Sequence, residues 1–288
     1  MNKWQTLLEP SSLVIADGAM GTMLQAAGLQ AGDLPPVWNV EHPDHVRAVH
    51  RAYLEAGAQI LITNTFIGSR FRLARHGLES HVDEFNRVGA AILREEIDQA
   101  GGHAIAAGDM GPSGELLAPL GKLSFDDAVA GFAEQARALI DGGVDVIWTM
   151  TMSDLGEIHA VIEGVRRVSK DIPILATMTF DTRGRTMMGV TPEKAARALV
   201  EWGAAGIGGN CGNGPEEISE AIGKMRAVAP DAVLIAKSNV EGQTIYRATP
   251  DMMAQSAVSQ RDAGARIIGG CCGTTPAHIR AMKDALNA

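Results

Sequence analysis

Three cysteines are the only thiols in this chain of 288 residues. All lie in glycine-rich tracts of the last third: Cys211 in GGNCGNG, Cys271 and Cys272 in GGCCGTT. An odd number excludes a complete intramolecular disulfide framework. Three thiolates converging on one point make a zinc site with an open fourth position, and soft sulfur ligands favour zinc over magnesium or calcium. The neighbouring glycines let the backbone turn sharply enough to present sulfur. A single such cysteine would more simply fill a core. Three, with none elsewhere, favour one shared ion. A closed structural zinc site draws on close-spaced CxxC pairs, and there is none.

The elements that must bring these residues together are legible as a rhythm. Four segments repeat an acidic residue, any residue, Gly, then an apolar run: EAGAQILIT from Glu55, DGGVDVIWT from Asp141, EWGAAGIGG from Glu201 and DAGARIIGG from Asp262. Each follows a stretch of helical periodicity. Gly just past a helix C-terminus and a short apolar run read as a helix end and a buried strand. Four further strands lie between them, beginning at Ser12, His103, Ile172 and Ala232. Eight buried strands alternating with helices predict a parallel sheet, and over this length a closed (β/α)8 TIM barrel, one α/β domain spanning residues 1–288. An open doubly wound sheet is the alternative. The segment from Gly28 to Trp38 reads as a long first loop.

In such a barrel the chemistry sits at the C-terminal ends of the strands. Those ends carry Asp17 and Gly18, then Asn64 and Thr65, Asp109, Met150, Asp181, Cys211, Asn239, and Cys271 with Cys272. All three cysteines fall on that rim, and one strand separates the two that bear them. Lys237 is the strand-end lysine that a Schiff-base aldolase would need. His42 and His45 have metal-like spacing but flank Pro43, so they read as polar residues at a helix start. Gly206-Ile207-Gly208-Gly209 lacks the acidic partner of a dinucleotide loop.

Composition narrows the function classes. The net charge of −9 disfavours an electrostatic nucleic-acid binder. No apolar run approaches the ~20 residues that cross a bilayer, and the first residues lack the apolar stretch of a secretory signal. A cytoplasmic protein without membrane or nucleic-acid partners is expected. A chain this long buries about three quarters of its unfolded surface and needs no disulfide.

GGNCG, GGCCGTTPAHI and ADGAMGTMLQ together resemble the homocysteine S-methyltransferase family. NTFIGSRFRLARHGLE, GDMGPSGELLAPLGKLSFDDA and GRTMMGVTPE agree, the last two in the manner of its cobalamin-dependent branch rather than its betaine branch. The resemblance covers nearly the whole chain. It implies a methyltransferase of methionine biosynthesis in which one Zn²⁺, held by Cys211, Cys271 and Cys272, binds the acceptor homocysteine as a thiolate. It implies that Asp17, with Gly18 behind it, holds the substrate ammonium, and that Asn64 and Thr65 bind the acceptor or shape its loop. Asn239 is the family's candidate for an oxygen on the open zinc position; bridging of loop backbones is its other role. Two methyl donors are consistent with the resemblance. One is methylcobalamin carried by a separate corrinoid protein, as in a split methionine synthase. The other is a small onium compound such as betaine or S-methylmethionine. A non-catalytic zinc- or thiol-binding subunit is the reading from another class.

One position departs from the family. Its strands carry Glu in an E-T motif where the substrate ammonium binds, and here that place is Met150 of VIWTMTM. A buried ammonium needs anionic partners. Loss of one charge-assisted hydrogen bond, about 1.5–3 kcal/mol, predicts homocysteine binding weakened about ten- to a hundred-fold. Trp148 and Met152 alternate with Met150, so the side that Met150 faces decides whether this expectation applies.

Overall fold

The repeated glycines end their helices in one way. Gly57, Gly143, Gly203 and Gly264 all have positive φ, between +76° and +110°, the left-handed conformation that costs a glycine nothing. After the helix Pro43–Ala56, the Gly57 N–H donates to Leu54 O and the Ala58 N–H to Tyr53 O. These bonds satisfy the last free carbonyls and swing the chain back toward the sheet.

The computed structural model describes residues 3–8, 12–240 and 248–287. Its strands are β1 (Val14–Ile15), β2 (Ile60–Ile62), β3 (Ile105–Met110), β4 (Val146–Met152), β5 (Ile174–Met178), β6 (Gly206–Cys211), β7 (Leu234–Ser238) and β8 (Ala265–Gly270). From β2 to β8 each pairs in parallel with the next in sequence, and β1 pairs with β8. The Ala16–Ile60 bridge closes the ring: the Asp17 N–H donates to Ile60 O at 2.9 Å and the Gln59 N–H to Ile15 O at 2.7 Å. The chain is therefore the closed (β/α)8 barrel, and the open sheet is excluded.

Successive residues of a strand face opposite ways, and the packing divides accordingly. Val14, Ile60, Ile62, Ile105, Val146, Trp148, Met150, Ile235 and Ile267 fill the barrel. Trp4, from the helix Lys3–Leu7, joins that inner cluster. Ile15, Leu61, Ala106 and Ile147 face outward and pack beneath the surrounding helices. The first loop is more ordered than its two prolines suggested. It holds a 3-10 turn at Pro35–Val37, whose prolines fit the first turn of such an element, and runs into a short helix at Trp38–Glu41. His42 and His45 pack their rings near Trp38, with centroids 4.7 and 5.3 Å away. Among the described residues no helix is long and apolar enough to cross a membrane.

Candidate metal centre and thiol cavity

Strands β6 and β8 deliver the cysteines to one point. Cys211 is the last residue of β6, and Cys271 and Cys272 follow β8 directly. Cys211 has a φ of +61°, a conformation uncommon outside glycine. Such strain concentrates at functional sites. Its sulfur lies 2.9 Å from Cys271 Sγ and 3.9 Å from Cys272 Sγ. All three sulfurs lie within 4.8 Å of one another. Thiolates on a tetrahedral zinc, each at about 2.3 Å, stand about 3.8 Å apart. The donor set and its spacing fit zinc with one position open.

Cys211 is held far above the ordinary thiol range, chiefly by its hydrogen bonds to Cys271 and Cys272 and then by burial. Cys271 is pushed up to about 11: the hydrogen bond from Cys211 lowers it, while Cys272 and burial outweigh that pull. Three adjacent thiols resist becoming three thiolates unless a cation compensates them, which is what a thiolate-binding metal does.

Neighbouring amides fix this geometry. Asn210, fully buried, donates from Nδ2 to Thr151 Oγ1 at 2.8 Å and accepts the Thr151 N–H on Oδ1 at 2.8 Å. Its Nδ2 also lies 3.8 Å from Cys271 Sγ. Thr151 has a φ of +61°, beside a break in the β4–β5 register. Asn239 donates to Gly212 O at 2.9 Å and accepts the Cys272 N–H at 3.0 Å. Both ends of its amide thus staple the two cysteine loops. Of the two roles read for Asn239 from the sequence, these bonds are the bridging of loop backbones.

A cavity of about 360 Å³ opens beside the sulfurs. Cys211, Cys271 and Cys272 form part of its lining, with Gly18, Asn64, Thr65, Met150, Asp109 and Lys237. Met150 faces inward with Trp148, while Met152 packs in the outer cluster, so the strand-four register is the one expected. Gly18 admits no side chain: a Cβ there would lie 2.6 Å from Thr274 Oγ1 and 2.7 Å from the Tyr53 hydroxyl. Asn64 spends its amide on Pro35 O and Asn39 Oδ1, and the Thr65 hydroxyl donates to Asp109 O. Both residues shape the wall with polar groups turned into the scaffold.

Asp17 differs from expectation. It is buried and absent from the cavity lining. Oδ1 accepts from Lys237 Nζ at 2.6 Å and Oδ2 from the Ile62 N–H at 2.8 Å. Burial raises its pKa, opposed by Lys237 and the Ile62 N–H. The ammonium this carboxylate holds in the structure is that of Lys237, a residue of the chain itself. The ammonium of Lys237 also lies 5.1 Å from the Trp148 ring centroid. Burial drives Asp109 well above the usual carboxylate range against the pull of Lys237, with Asp17 and Cys271 adding to the rise. Sequence reasoning placed Asp109 on the rim without a role and weighed Lys237 only as a Schiff base. A charged residue inside a buried strand, as in LIAKS and IAAGDM, was the available signal.

The chain matches the family described as homocysteine S-methyltransferase over residues 14–286. It is 33% identical to a methionine synthase of Mycobacterium tuberculosis and 31% identical to one of Mycobacterium leprae, each across 95% of this chain. It spans about a quarter, 24%, of the length of those relatives. The metallated form of the homocysteine methyltransferase MmuM from Escherichia coli superposes with a TM-score of 0.82 at 27% identity, covering 98% of this chain and 99% of that one. A methyltransferase from Methanosarcina mazei, at 11% identity and a TM-score of 0.62, shares the fold. With the family match running through both cysteine tracts, this chain belongs to the homocysteine S-methyltransferase family.

Proposed function

We propose that this barrel is a zinc-dependent thiol S-methyltransferase, one Zn²⁺ per chain, that accepts its methyl group from a separate corrinoid protein. The observation that carries this reading is the trio of sulfurs on the wall of a cavity large enough for a small thiol. Cys211, Cys271 and Cys272 would hold the ion, and the cavity would hold the rest of the acceptor. When bound, zinc lowers the pKa of the acceptor thiol, so a thiolate nucleophile exists at neutral pH. Asn239 and Asn210 keep the cysteine loops in register. The apolar wall, with Met150, Ile62 and Phe66, excludes water from the thiolate. The thiolate sulfur then attacks the methyl carbon in line and the donor leaves with the electron pair of its own bond.

The corrinoid donor is supported by the methionine synthases, about four times the length of the shared region. Transfer from a small onium donor is the second reading; the MmuM homocysteine methyltransferase, which this chain covers end to end, favours it.

Metal analysis with a turnover assay tests the proposal. The purified chain is expected to hold one zinc, and replacing any one cysteine with Ala should remove most of it and all methyl transfer. Methylcobalamin should methylate one or more thiols in a panel that includes homocysteine. Turnover with S-methylmethionine or betaine alone would move the donor to the second reading. Zinc without turnover on any thiol would make the chain a binding subunit.

A further inference from the structure

Asp109 is a buried carboxylate left over from the pairing of charges around it. On β3, Ile105 and Ala107 belong to the inner cluster, so Asp109, two residues further on, continues the inward face. Its backbone is pinned by the residues after β2. The Asp109 N–H donates to Thr63 Oγ1 at 2.9 Å, and its carbonyl accepts the Thr65 hydroxyl at 2.8 Å. The residue is 3% exposed and lines the same cavity as the sulfurs. Its Oδ1 is buried without a hydrogen-bond partner among the described residues. Such an atom is rare in a folded protein and calls for a polar group to meet it. Among the described residues the one cation lining the cavity is Lys237, and it is already engaged. Its Nζ lies 2.6 Å from Asp17 Oδ1, and that sealed pair sums to zero charge. Two carboxylates thus share one ammonium, and the unmatched one is Asp109. On β4, Asp109 pairs in register with Trp148, two residues before Met150. Trp148 and Met150 face the same interior. Asp109 therefore enters the cavity from the strand next to the one on which Met150 replaces the family's Glu.

We propose that Asp109 receives the ammonium of an aminothiol acceptor, supplying from β3 the carboxylate that β4 lacks at Met150. An ammonium seated there meets a carboxylate that the chain itself does not pair, in a wall that is mostly apolar, where a charge-assisted bond is strong. Burial by itself favours the neutral form of the Asp109 carboxyl, and an adjacent cation favours the ionised one, so each group stabilises the charge of the other. The chain thus keeps one carboxylate for the ammonium, moved by one strand. This inference rests on the zinc–thiolate reading for the sulfur end of the acceptor and is independent of it for the ammonium end.

The test compares four thiols by calorimetry on the zinc-loaded chain: homocysteine, 3-aminopropane-1-thiol, which lacks its carboxylate, 4-mercaptobutyrate, which lacks its ammonium, and propanethiol, which lacks both. We expect homocysteine to bind about tenfold or more tighter than 4-mercaptobutyrate, and the aminothiol about tenfold or more tighter than propanethiol. The second ratio decides, because neither of its ligands bears a carboxylate. Asp109→Asn keeps the size of the side chain and should bring that ratio to within about twofold, with folding checked by circular dichroism. A retained ratio in the folded variant would overturn the proposal. A second measurement uses the unaltered chain and sulfur-free ligands, 2-aminobutyrate and butyrate, followed through the NMR signals of the Met150 methyl group and the Asp109 carboxyl carbon. 2-Aminobutyrate should move both signals at lower concentration than butyrate. Butyrate acting at an equal or lower concentration, or an Asp109 carboxyl signal that stays still while the Met150 methyl moves, would overturn the proposal whatever the metal does and whether or not the variant folds. Propanethiol that ignores zinc refutes only the zinc–thiolate reading.

Discussion

Asn210 shows how much of the proposed metal centre lies outside its ligands. One amide holds both the N–H and the hydroxyl of Thr151 and approaches Cys271 Sγ. It therefore couples the end of β4, where Thr151 is held at positive φ, to the sulfur cluster. Groups that orient metal ligands are typically worth ten- to a hundred-fold in metal affinity. Asn210→Ala should weaken zinc binding by about that factor in competition with a chromogenic chelator, while leaving all three cysteines in place. It also leaves the half-buried Thr151 N–H without its partner, a cost of about 1 kcal/mol in a denaturant titration. Unchanged zinc affinity with the expected loss of stability would make Asn210 a support of β4 alone. The Asp17–Lys237 pair carries a different lesson at this scale. A buried ion pair adds little net stability but is costly to break from one side, so removing Lys237 alone would strand the Asp17 carboxylate in the core.

At the scale of elements, the helix Pro43–Ala56 carries a buried histidine that reports on acid stability. His50 is fully buried, and neither ring nitrogen has a hydrogen-bond partner among the described residues. Burial, and then the nearby Arg47 cation, lower its pKa to about 3. The folded chain therefore keeps His50 neutral while the unfolded chain takes up a proton below about pH 6.5. The stability this neutrality gives is whole above the unfolded pKa and is lost progressively as pH falls toward the folded one. At pH 4.5 the loss is about 2–3 kcal/mol. His50→Leu removes the titration without stranding a polar group, so its stability relative to the parent should rise by about that amount between pH 7.5 and pH 4.5 in urea titrations. A difference that stays constant with pH would show that His50 titrates normally. The elements themselves were readable because their signals are local: the acidic-x-Gly repeat forces a left-handed residue after a helix, and all four glycines adopt it. The cysteine triad was readable because rare residues clustered at strand ends. What stayed hidden is pairwise geometry. That Lys237 reaches Asp17 across the barrel, or that Asn239 spends its amide on two loops, depends on where side chains meet between strands distant in the chain. Periodicity and family resemblance do not specify the first, and for Asn239 the sequence offered loop bridging as one of two roles without choosing between them.

For the whole molecule, the question is whether the proposed zinc would build the barrel or only occupy it. The inner and outer apolar clusters contain none of the three cysteines, and the ring closes through backbone bonds between β1 and β2. Cys211, Cys271 and Cys272 sit on one rim, where only the ends of β6 and β8 depend on them. The chain should therefore fold without zinc, unlike small domains whose core is the metal site. The proposed zinc would then act as a ligand of the folded state, stabilising it by mass action: about 4 kcal/mol when free zinc is a thousandfold above its dissociation constant. For a barrel of this size each kcal/mol moves the melting temperature by roughly 2–4 °C. We expect the chelated chain to keep its far-ultraviolet dichroism and to melt cooperatively, with a transition that climbs by about 10 °C as buffered free zinc is raised. The Cys271→Ala, Cys272→Ala double variant should melt close to the chelated parent and show no such climb. Unfolding of the parent on chelation would mean that the sulfur cluster holds the barrel together, and the same double variant would then fail to fold.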